Sequence, residues 1–121
     1  MIHTELPIYQ TGQKLVQLAY QAQQNMPRGF KRTLGEHIAS RCMDMLNHMA
    51  MANAVKGQSR ADHVNAILAN KEAAQVMLRV AHDLRLISPK IWGDSVQLLG
   101  SIGKQAGGWL KKTTHRTAPA V

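Results

Sequence analysis

RADHVNAILANKEAAQVMLRVAHDLRLI, residues 60–87, decides the fold class. The stretch holds neither Gly nor Pro. Ala61, Val64, Ile67, Leu68, Ala74, Met77, Leu78, Ala81 and Leu84 recur at spacings of three and four, which draws one apolar stripe along a helix. Ser59 is placed to cap its start and Asp62 to favour its positive end. Ser88-Pro89 stops it and opens the next helix. Such a helix is about 40 Å long at 1.5 Å per residue. It cannot bury its stripe alone, so the rest of the chain must pack along it.

Outward from that centre the same spacing repeats. Pro7 suits a first helical turn, and Ile8, Gly12, Leu15, Ala19 and Ala22 carry a helix from about 7 to 25. Met26-Pro27-Arg28-Gly29-Phe30-Lys31-Arg32 then turns the chain, with Phe30 expected to seat the following helix and, as the lone aromatic of a basic loop, to stack a base as the alternative. That second helix covers about 31–55. Leu34, Ile38, Cys42, Met45, Met49 and Ala52 form its core row, and Ala39, Met43, Leu46 and Ala50 a second row. Two apolar rows face two neighbours. Gly57 is placed to end it. The third helix covers 60–87 and the fourth 89–112. Ile91, Ser95, Leu98, Ile102, Ala106 and Trp109 line one face of the fourth. Gly100, Gly103 and Gly107 form a smooth stripe on it, which predicts close approach by another helix to offset about 1 kcal/mol per glycine. Residues 113–121 lose the periodicity and read as a disordered basic tail. The expectation is one all-α domain over 1–112, an antiparallel up-down four-helix bundle with short turns.

Composition agrees. Aromatics are 4% of the 121 residues and seven Met accompany abundant Ala and Leu, which favours helices over sheets. The single Cys42 excludes a disulfide within the chain, fits a reducing cytoplasm, and reads as a small core residue, not a nucleophile. No signal peptide is evident, and no apolar run approaches the ~18 residues of a membrane span. His37, Arg41, Asp44 and His48 share a helix face, but Arg41 interrupts them and no metal-ligand spacing is completed. There is no phosphate loop, nucleophile elbow or patterned carboxylate pair, so neither an enzyme nor a cofactor is expected.

Charge carries the functional signal. Fifteen Lys and Arg against seven Asp and Glu give +8, a surface suited to a polyanion. The bundle topology places Arg28, Lys31, Arg32, Arg85 and Lys90 at one end, and Lys56, Arg60, Lys111, Lys112 and Arg116 at the other. Cations near a helix C-terminus complement its dipole, which accounts for Lys111 and Lys112. The Arg28–Arg32 cluster lies before or within a first turn, where positive charge is unfavourable. No recognition helix, zinc finger or RNA-binding signature is present, so phosphate contact with weak sequence specificity is expected.

Four segments together, ELPIY (5–9), MPRGFKRTLGEHI (26–38), MLRVAHDLRLIS (77–88) and IGKQAGGWLKK (102–112), resemble the accessory variability determinant (Avd) proteins of diversity-generating retroelements. That family is similar to the bundle proteins of ribosomal RNA intervening sequences. The resemblance implies a ring-like homopentamer that binds the retroelement reverse transcriptase and nucleic acid, RNA or DNA, and supports mutagenic cDNA synthesis from a template-repeat RNA without being a polymerase. It implies contact roles for Arg28, Lys31, Arg32, Arg79, His82, Arg85, Lys104, Lys111 and Lys112. His82 stands where the family is often basic. Gly93 and Asp94 belong to no family motif. Two other expectations accompany this one: a structural bundle of the intervening-sequence type without a polymerase partner, and a small DNA-binding regulator, whose helix-turn-helix is not found.

Overall fold

The computed structural model describes residues 2–117, all of whose regular structure is helical. A short 3-10 turn at His3–Glu5 precedes α1, Pro7–Asn25. Pro7 opens α1, where a missing N–H costs nothing. The chain then runs without a break through α2 (Arg28–Phe30), a π-helical segment (Lys31–Gly35) and α3 (Glu36–Ala54). The last two helices are α4, Gly57–Asp83, and α5, Pro89–Thr117.

The four long helices close around one core: α3 packs on α1 and α4, and α5 packs on α1 and α4. Leu15, Ile38, Met45, Met49, Ile67, Leu78, Leu99 and Ile102 are its largest fully buried side chains. Truncating one of them to Ala costs about 2–5 kcal/mol. Gly12 sets the α1–α3 spacing, since a Cβ there would lie 2.8 Å from Met49 Sδ and 3.0 Å from Leu46 Cδ1. Asn70 is buried but satisfied: its amide donates to the Ala66 carbonyl at 2.9 Å, and its oxygen accepts from Arg41 at 3.3 Å.

Several expectations need correction. The second helix starts at Arg28, not near Lys31, so its basic residues lie inside helical structure. The reason is Pro27, whose carbonyl accepts from both the Phe30 and Lys31 N–H groups at 2.9 and 3.1 Å. Phe30 does not seat the helix; it is 39% exposed and outside the core. Ser59 does not cap α4, which begins at Gly57, with Gly57 itself in the left-handed region at φ 63°. The glycine therefore serves the start of α4 and not the end of α3. At its other end α4 stops at Asp83, four residues short of 87.

In α5, Leu99 is buried in the core while Leu98 packs partly against it. The helix continues past 112, where Thr113 and Thr114 bond back to the Trp109 and Leu110 carbonyls at 2.8 and 2.9 Å and Thr113 is buried. Residues 113–117 are therefore helical and not a disordered tail, while 118–121 lie outside the described residues, as does the side chain of Arg116. The glycine stripe receives no helix of its own chain. A Cβ at Gly103 would meet only the Lys71 side chain, at 3.3 Å, and at Gly93, Gly100, Gly107 or Gly108 it would meet nothing within 4 Å.

Candidate nucleic-acid and partner interface

The C-terminal turn of α1 organises the first basic region. On one side Ala22 and Asn25 line an open cleft of about 750 Å³ with His82, Arg85, Ser88 and Pro89. On the other, Gln23 donates to the Lys31 carbonyl at 2.9 Å and, with Met26, packs against Gly35. The Arg28–Arg32 cluster and the α4–α5 turn thus flank the same turn of α1.

The α4–α5 turn closes as a Schellman motif. The Leu86 N–H donates to the Ala81 carbonyl at 2.8 Å and the Arg85 N–H to the His82 carbonyl at 2.9 Å. This motif needs a left-handed residue, normally Gly, at the position Arg85 occupies with φ 61°. Arg85 carries its exposed guanidinium on that strained backbone. Beside it, the His82 ring stacks on Trp92, with centroids 5.0 Å apart and planes 10° from parallel. The Ser88 hydroxyl accepts from the Ile91 N–H at 3.1 Å and caps α5.

Ion pairing divides the cations. Arg79 lies 3.3 Å from Asp83, and Lys90 lies 2.9 Å from Asp94; both pairs are exposed and weak. Lys71–Glu72 is the remaining ion pair among the described residues. Arg28, Lys31, Arg32 and Arg85 are exposed and enter none of these pairs.

The second basic region lies where the start of α1 meets the later half of α5. Leu6, Pro7, Ile8, Gly108 and Trp109 floor an apolar cleft of about 340 Å³, with Lys104 and Lys112 at its edge. The Arg60 guanidinium sits 5.7 Å from the Trp109 ring centroid and its Nε donates to the Ala52 carbonyl at 2.9 Å, which joins the ends of α3 and α4 to this region. Lys111 is exposed but does not line the cleft.

The expected contact residues therefore separate into two groups: Arg28, Lys31, Arg32, His82 and Arg85 around the end of α1, and Lys104 and Lys112 around its start. Arg79 stands one turn before Asp83 on the exposed side of α4. Sequence reasoning missed Trp92 beneath His82, the π-helical segment under the basic cluster, and the left-handed Arg85. Helical spacing could have suggested none of these, because each depends on how the turns close.

One polar contact between helices also escaped the sequence. His48 on α3 and His63 on α4 place their Nδ1 atoms 3.0 Å apart, one donating and the other accepting. Burial holds the His48 pKa below its usual 6.5, the nearby His63 adds to that, and Asp44 opposes both. Among the described residues no group of three His, Cys, Asp or Glu could hold a metal ion. Burial pushes the Cys42 thiol up to about 12, so it remains a protonated core group at neutral pH. No described helix is long and apolar enough to cross a membrane.

Residues 6–113 match the protein-family model described as bAvd-like. No protein of curated function matches the chain.

Proposed function

Because the chain belongs to the bAvd-like family, we propose that it is a non-catalytic accessory subunit of a diversity-generating retroelement, binding the element's reverse transcriptase and nucleic acid in the cytoplasm to support mutagenic cDNA synthesis. The family match over residues 6–113 carries this reading. The unpaired cations at the end of α1 support it, because a phosphate backbone is bound mainly by such charge. Arg28, Lys31, Arg32 and Arg85 supply the first contact region, with Arg79 and His82 beside it. Lys104, Lys111 and Lys112 supply the second. Either template-repeat RNA or cDNA satisfies this chemistry.

The subunit is an up-down bundle that works as a ring-like homopentamer. Two faces of the chain support self-association. Val76 and Val80 of α4, with Leu84 just past its end, form an exposed apolar ridge at 64%, 43% and 54% exposure. Gly93, Gly100 and Gly107 form an open smooth stripe on α5. A ridge of one copy fitting the stripe of the next is a head-to-tail contact, the kind that closes rings.

Reversing both charges, Arg79→Glu with Arg85→Glu, tests the function. The double variant should keep its helical content and lose co-purification with the reverse transcriptase. Undiminished cDNA synthesis by this variant would remove the proposed role. Mass by light scattering, read with absorbance at two wavelengths, tests the ring and any bound nucleic acid together.

A further inference from the structure

We propose that Phe30 is a stacking platform for an unpaired base of single-stranded nucleic acid, whose phosphates are held by Arg28, Lys31 and Arg32. The inference rests on the nucleic-acid reading above and adds to it the type of strand and an aromatic contact.

Phe30 is the only Phe of the chain, and the fold does not use it as core. It is 39% exposed, while Leu34 one turn later packs against the buried cluster. The partly exposed ring lies within two residues of three cations, Arg28, Lys31 and Arg32. The same arrangement is what a single strand requires: a π-face for the base and positive charge for the backbone. None of the three cations enters an ion pair among the described residues, so their charge is available.

The backbone around Phe30 is tied down by hydrogen bonds. The Pro27 carbonyl accepts from the Phe30 and Lys31 N–H groups. The Thr33 hydroxyl donates to the Gly29 carbonyl at 3.1 Å, and Gln23 of α1 donates to the Lys31 carbonyl. The π-helical turn that follows is a rare geometry that recurs at functional sites. A Cβ on Gly29 would meet nothing within 4 Å, so the backbone just before Phe30 faces open space. A base within a duplex has both faces covered by its neighbours. Stacking on Phe30 therefore selects unpaired strands, whereas the cations alone would bind either form.

Fluorescence anisotropy at fixed salt tests this with the full chain and three labelled probes: oligothymidylate, oligouridylate and a DNA duplex. Phe30→Ala should weaken the single-stranded probes by roughly 5- to 150-fold, the range of one lost base–aromatic stack. The duplex should be unaffected. Phe30→Trp should restore single-strand affinity, and its emission should be quenched on binding. Loss with one single-stranded probe alone supports the platform and assigns it to DNA or RNA. If Phe30→Leu binds as well as the wild type, bulk and not stacking is at work, and the proposal falls. It falls too if Phe30→Ala binds every probe like the wild type, or changes the oligomer mass instead. In those cases wild-type binding remains and the accessory reading stands. A wild type that binds no probe overturns the nucleic-acid reading and this inference with it.

Discussion

Two turns of this molecule demand the same backbone and answer with different residues. Gly57 opens α4 at φ 63°, and Arg85 closes it at φ 61°. The left-handed region costs a residue with a Cβ roughly 1–2 kcal/mol, and Gly nothing. At the α3–α4 turn the chain takes the inexpensive solution. At the α4–α5 turn it does not, although the Schellman hydrogen bonds there would form equally well around Gly. A residue kept against its backbone preference points to use of its side chain, and Arg85 lines the cleft at the end of α1. One turn is shaped by the fold and the other by what the fold carries.

The largest expected effect comes from breaking the first turn. Gly57→Val places a β-branched residue at φ 63° and should lower stability by about 2 kcal/mol. The denaturant midpoint measures this. An unchanged midpoint would mean that the turn adjusts freely and that left-handed geometry there is incidental. Relaxing the second turn should have the opposite sign. Arg85→Gly relieves strain but frees the unfolded chain, so the net gain is at most about 1 kcal/mol. The same variant should lose affinity for nucleic acid or the reverse transcriptase. A variant that gains stability and keeps full binding would reduce Arg85 to a tolerated misfit.

The glycines of α5 extend the comparison. Gly107 has open space around it, unlike Gly12, where a Cβ would press on buried Met49. Gly107→Ala should therefore stabilise the isolated chain by just under about 1 kcal/mol, the helix propensity difference. If the stripe seats a second copy, the same change should also lower the oligomer mass seen by light scattering. A gain in stability with unchanged mass would separate the stripe from assembly.

The helices were legible in the sequence because burial follows a period. Ile8, Gly12, Leu15, Ala19 and Ala22 of α1 were read from their spacing and are all buried. So are Ile38, Cys42, Met45, Met49 and Ala52 of α3. What the sequence hid lies where the period stops. The left-handed need near residue 57 was visible in Gly57, but the end of α3 and the start of α4 compete for the same glycine. The need at 85 was invisible, since the rule that finds such positions looks for Gly and the residue is Arg. α5 runs on through Thr113 and Thr114, whose side chains bond back to backbone carbonyls, although composition marks these residues as loop. The two basic regions follow the same division. Their residue types were evident, but only closure of the turns shows that His82 and Arg85 line one cleft and Lys104 and Lys112 another.

The smallest effect concerns the half of the molecule that Gly57 serves. His48 and His63 flank that turn on α3 and α4, and their 3.0 Å contact needs at least one neutral ring to accept the proton. Burial and the neighbouring His63 lower the folded-state pKa of His48 from 6.5, against the pull of Asp44. Below that pH the unfolded chain binds more protons than the folded one, so stability falls as pH falls. The contribution is complete above about 6.5 and is lost as pH drops through the lowered folded value. Denaturant midpoints measured at descending pH should show this loss, and His48→Gln should flatten the part that belongs to the pair. Acid acting through His48 weakens the α3–α4 contact and leaves the Schellman hydrogen bonds around Arg85 intact, so exchange protection should fall first at the Gly57 end of α4. Equal loss at both ends would show that the two turns unfold as one unit, and the contrast between them would then be chemical and not mechanical.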